Sequence, residues 1–138
     1  MKTSEAKQIM SIEDTRNVMN KYLESKHSDV SMMSEDVVFT NMATGQVHRG
    51  PEEVLQMLNY VYKIAFDADI NTKNVIISEG KAVLEADFIG KHIGEFAGIA
   101  ATNKNVSVPL CVIYDLEDDQ IKKGRIYFEI PALLEQLK

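Results

Sequence analysis

Apolar residues recur at helical spacing near the start of the chain, at Ile12, Val18, Met19, Tyr22 and Leu23, as expected for a helix with one buried face. Ser11 followed by Asp14 fits a capped helix start, with a hydroxyl three residues before a carboxylate. This helix is expected to end near Lys26, and a short second helix is expected around Val30 and Met33. Residues 36–41 (DVVFTN) form a β-branched, aromatic run and read as a strand, and residues 42–50 read as a loop holding Gly45 and Gly50. Pro51 with Glu52 and Glu53 marks a further helix start, since proline suits the first turn and acids complement its positive end. Val54, Leu55, Leu58, Val61, Tyr62 and Ile64 supply its apolar face.

From residue 69 the period changes to two. Residues 75–77, 82–89, 105–116 and 121–130 read as strands, with turns at 78–80 and 117–120 and a segment rich in glycine and small residues over 90–105. Pro131 opens a short terminal helix over residues 132–137. Helices followed by antiparallel strands define an α+β domain rather than alternating βαβ units. One domain is expected over residues 11–138, with the first ten residues as a flexible lead-in. Strands near residues 75–89 and 106–116 carry apolar residues on both faces, Pro109, Cys111 and Ile113 as well as Val108, Leu110 and Val112. One face can cover a pocket, so a second copy of the chain is expected on the other.

Composition narrows the function. The 138 residues carry a formal net charge of −6. The densest basic cluster (Lys122, Lys123, Arg125) is preceded by Glu117, Asp118 and Asp119. Neither nucleic acid nor an anionic membrane is an expected partner, because both ask for a basic surface. The single cysteine, Cys111, excludes an intramolecular disulfide and is expected to be buried as a small hydrophobe,. Residues 1–11 lack the apolar stretch of a signal peptide, and no window approaches a membrane span, so a cytoplasmic location is expected. Gly90, Gly94 and Gly98 are spaced by four, which fits no dinucleotide or phosphate loop,. Three scattered histidines and one cysteine argue against a metal site,. No cofactor is expected.

The order of elements, and several segments, resemble a known family. Asp36-Val37-Val38-Phe39, His48-Arg49-Gly50, Gly90-Lys91-His92-Ile93-Gly94-Glu95-Phe96, Ala97–Asn103 and Tyr127-Phe128-Glu129 with Leu133-Leu134-Glu135-Gln136-Leu137 resemble motifs of the SnoaL-like branch of the nuclear transport factor 2-like superfamily. The resemblance covers about residues 12–137. It implies a cone in which a curved antiparallel sheet and N-terminal helices enclose an apolar pocket. It also implies cofactor-free acid–base chemistry of cyclase or isomerase type on a small, apolar, carbonyl-bearing molecule. The alternative is a non-catalytic ligand-binding or dimerisation module of the same fold.

The resemblance places Glu129 where the family carries an aspartate, and so implies a pocket-facing general acid or base with a pKa raised by burial. By period two Glu129 shares a face with Arg125 and Tyr127, and the plainer reading is a surface carboxylate paired with Arg125. His92 is the second catalytic candidate, as a proton shuttle; it would otherwise fix its loop through a hydrogen bond. Asp87, on a polar face with Glu85, is a substrate-binding candidate by analogy with epoxide-hydrolase relatives; a solvated face is the alternative. Asn41, Tyr22 and Tyr127 are candidates for pocket hydrogen bonds. His48 ranks below these, and His27 reads as exposed.

Overall fold

The computed structural model describes residues 9–26 and 28–138. The expected exposure of His27, and most of the expected flexible lead-in, lie outside the described residues. Within the lead-in Ile9 is exposed, while Met10 packs into the core at 6% exposure. Helix α1 spans Ile12–Glu24 and is capped as its sequence requires, with the Ser11 hydroxyl accepting from Asp14 N–H at 3.0 Å. The expected second helix is a single 3₁₀ turn, Val30–Met32, and β1 (Met33–Asn41) begins directly after it.

Residues expected to form only a loop include a short strand, β2 (Val47–Arg49). The cause is local. Asn41 Oδ1 accepts from the amides of Ala43 and Thr44, and Gly45 turns at φ +79°. The chain therefore folds back, pairing His48 with Phe39. Helix α2 (Gly50–Asn59) starts on Pro51 and Glu53, whose carboxylate accepts from Arg49 N–H at 2.8 Å. It runs into one π turn, Tyr60–Ala65.

Four long strands follow: β3 (Phe66–Ser78), β4 (Lys81–His92), β5 (Asn105–Glu117) and β6 (Gln120–Phe128), then helix α3 (Ile130–Gln136). They join one six-stranded sheet in the order β2-β1-β6-β5-β4-β3. Neighbours are antiparallel except β1 and β6, which run parallel. Alternation along β5 is strict: Val106, Val108, Leu110, Val112, Tyr114 and Leu116 are buried, while the residues between them face outward. The inner face packs under the helices around Met19, Tyr22, Phe39, Leu84 and Tyr114. Gly124 sits on this face because a Cβ there would lie 2.8 Å from the Phe39 ring. No helix among the described residues is long and apolar enough to cross a membrane.

Candidate functional site

A cavity opens between α2, the π turn and the inner face of the sheet. It has two compartments. The inner chamber measures about 70 Å³ and is walled by Phe39, Leu58, Phe88, Leu110, Val112 and the rings of Tyr22, Tyr62 and Tyr114. The outer recess measures about 810 Å³ and presents Thr44, Gln46, His48, Glu53, Gln56 and Tyr60. Asn41, Met57, Val61, Ile126 and Phe128 line both and form the neck between them. A separate open groove of about 900 Å³ runs between the end of α1 and the β3–β4 edge. It is bridged by Lys26 and Asp69 at 3.2 Å and is a charged surface hollow rather than a cavity.

The three tyrosines give the inner chamber its electrostatic character. Tyr22 and Tyr114 meet edge to face with ring centroids 5.9 Å apart. Burial pushes the Tyr22 hydroxyl well above its ordinary pKa, with the neighbouring Tyr114 and Tyr62 hydroxyls adding to the shift. Burial raises Tyr114 as well, and raises Tyr62 with a smaller contribution from the Asp69 carboxylate. All three stay protonated far past neutral pH, so they are neutral groups and not bases.

Of the residues singled out in the sequence, Tyr22 and Asn41 line the cavity. Asn41 reaches both compartments, but its Oδ1 is taken by the Ala43 and Thr44 amides. The remaining candidates lie elsewhere. Glu129 is exposed just before α3 and takes no part in the cavity wall, although its neighbours Phe128 and Ile130 do. The expectation of a buried pocket acid is therefore corrected: β6 ends at Phe128, which faces the cavity, and Glu129 follows it exposed at the start of α3. Tyr127 is 43% exposed on the same outer face. Asp87 is also outward, 3.3 Å from Lys73, and Glu85 accepts from Asn74 at 2.7 Å. Arg125 pairs not with Glu129 but with Asp115, through two bonds of 2.7 and 3.3 Å. Cys111 is half-buried on this outer face rather than in the core.

His92 is fully buried, yet outside the cavity. Its ring lies over Phe66 with centroids 5.1 Å apart. Nδ1 lies 3.2 Å from the Thr102 backbone nitrogen and 3.0 Å from the Thr102 hydroxyl. Its backbone bonds Lys104 O and Asn103 N–H, both at 2.9 Å. His92 closes the base of the 93–104 loop, so its expected role as a proton shuttle at the pocket is corrected to that of a loop clasp.

Sequence reasoning did not single out Tyr114, and of the polar recess residues it named only Asn41 and, ranked lower, His48. Tyr114 was readable, because it shares parity with Val106, Val108, Leu110 and Val112 on β5. The recess depends on the β2 fold-back, which periodicity does not reveal.

Comparison with known proteins follows from this geometry. The family described as SnoaL-like polyketide cyclase matches residues 15–137. Among solved structures, a SnoaL-like protein from Jannaschia sp. CCS1 superposes with a TM-score of 0.80 at 16% identity, covering 99% of this chain and 96% of that one. TsrD from Streptomyces laurentii gives 0.75 at 22% identity, over 91% and 95%. A hypothetical protein with a ketosteroid isomerase-like fold from Catenulispora acidiphila, solved with trimethylamine, gives 0.71 at 12% identity, over 88% and 92%. At these identities the structures establish the fold alone. No curated protein matches the chain in sequence.

Proposed function

The chain belongs to the SnoaL-like polyketide cyclase family, and from that premise we propose that it binds a small, uncharged, mainly apolar molecule without transferring a proton to or from it in the inner chamber. One observation carries this reading. Among the described residues, the thirteen that line the chamber include no carboxylate and no imidazole, and its three phenols are held protonated. General acid–base catalysis needs a group that exchanges its proton near working pH. The chamber lacks one, while its apolar wall favours burial of apolar ligand surface.

The test uses a neutral apolar dye, N-phenyl-1-naphthylamine, and the simple ketone acetophenone. The dye should brighten on binding in the recess and be displaced by acetophenone, and Val112→Phe, which fills the chamber behind the recess, should weaken both effects while the chain stays folded. Nuclear magnetic resonance in deuterated water should detect no acceleration of exchange at the ketone methyl group. Absence of dye binding, or binding unaffected by Val112→Phe, overturns the reading. A catalytic alternative runs through His48, the imidazole in the recess wall. Exchange that is accelerated and then lost in His48→Gln would establish that alternative instead.

We propose also that a second copy of the chain covers the outer sheet face. Ile76, 60% exposed, pairs in register with Val83, and Val83 with Ile113, forming an apolar row between charged neighbours. Light scattering at micromolar concentration should give a dimer mass, and a monomer mass would overturn the proposal.

A further inference from the structure

The two compartments differ about tenfold in volume, and that difference restricts what can enter each. At about 10–15 Å³ of such space for each water-sized group, the inner chamber of about 70 Å³ holds only a few heavy atoms, roughly five to seven. The recess of about 810 Å³ is large enough for the body of a ligand,. The neck between them is apolar apart from Asn41, whose carbonyl oxygen is already engaged. Polar parts of a ligand therefore find more partners in the recess, at Gln46, His48 and Gln56, than in the chamber, whose polar groups are the three tyrosine hydroxyls,.

Resting on the binding reading above, we propose that the cavity acts as a ruler. The ligand keeps its polar body in the recess and passes one short, unbranched alkyl arm through the neck, and Met57 sets the length admitted. Met57 is singled out by chemistry. Val61 and Ile126 are β-branched and stiff. Phe128 is fixed by its contact with Phe88, ring centroids 5.2 Å apart. Met57 is the unbranched, three-torsion side chain at the neck, and it is only half-buried,. It lies near the end of α2 at the edge of the core, so shortening it widens the neck without removing a deeply buried group.

The test is a homologous series of phenyl ketones whose alkyl arm grows from methyl to hexyl, with affinities measured by calorimetry. In the native protein each added methylene should tighten binding by about fourfold until the chamber is full, and then the gain should stop or reverse. In Met57→Ala the break point should move to an arm at least one carbon longer. In Val61→Leu, which narrows the neck, it should move to a shorter arm, so the result does not depend on one variant folding. Identical break points in all the proteins overturn the ruler and leave the binding reading standing. Failure of every ketone to bind the native protein overturns both.

Discussion

His92 accepts the backbone N–H of Thr102 through Nδ1 at 3.2 Å, across a loop that returns to it after ten residues. The same threonine's hydroxyl lies 3.0 Å from that nitrogen and accepts from Lys104 N–H. One buried ring thus closes the base of the loop that brings Phe96 and Ala97 to the recess wall. His92→Ala should destabilise the fold by about 2–4 kcal/mol, from lost packing on Phe66 and an orphaned amide. Amide hydrogen exchange at Thr102 and Lys104 should accelerate more than exchange in β5. Equal acceleration throughout would mean that His92 supports the core generally and not the loop.

Glu129 gives the opposite expectation. Its carboxylate is exposed and outside the cavity wall, so Glu129→Gln should change stability by no more than about 0.5 kcal/mol. Binding of acetophenone should stay within about twofold of native. Loss of acetophenone binding in the glutamine variant would return Glu129 to the cavity wall.

Asp115 is the carboxylate whose environment does affect stability. The Arg125 guanidinium bonds it at 2.7 Å and holds its pKa below the usual range, and Lys81, at 2.6 Å, lowers it further. A lowered carboxyl pKa contributes stability that is present above the unfolded value, roughly 3.9. That contribution is lost as pH falls through the folded value. Asp115→Asn should therefore be less stable than native at neutral pH, by about 1 kcal/mol given partial exposure. The two proteins should converge as pH falls below the folded value. A difference independent of pH would assign the effect to packing instead.

How far the sequence reveals this molecule depends on range. Alternation reports local geometry and is obeyed along β5 and over residues 124–128 of β6, while a bulge between Ile121 and Lys123 breaks it at the start of β6. Ile126 and Phe128 face the helices, while Arg125, Tyr127 and Glu129 face outward. That parity already placed Glu129 beside Arg125, and only the family resemblance suggested a pocket for it. The order of the main helices and long strands, the capped start of α1 and the proline-led start of α2 were equally local and readable. The parallel pairing of β1 with β6 and the recess around His48 were not, because both depend on contacts between segments distant in sequence. Tyr22 was legible as a residue at helical spacing. Its partnership with Tyr114 required the sheet to bring residues far apart in the chain face to face.

That partnership governs behaviour in alkali. Tyr22 and Tyr114 are 0% and 1% exposed, and burial raises the pKa of each well above the ordinary value. In the unfolded chain each ionises near pH 10. Above that pH the unfolded state binds fewer protons than the folded state, so the stability of the fold must fall as pH rises. Below pH 10 both states hold the protons and nothing is lost. The slope should approach about 1.4 kcal/mol per pH unit for each of the two tyrosines, and it should continue until the folded groups themselves ionise. Tyr22→Phe and Tyr114→Phe should each remove one such contribution, so each variant should gain on the native protein as pH climbs from about 10. Tyrosinate absorbance in the native protein should separate into an early phase from exposed rings and a late phase that coincides with unfolding. Ionisation of every tyrosine in a single early phase, with the fold intact, would mean that these hydroxyls reach water, and the chamber could then no longer be described as proton-inert.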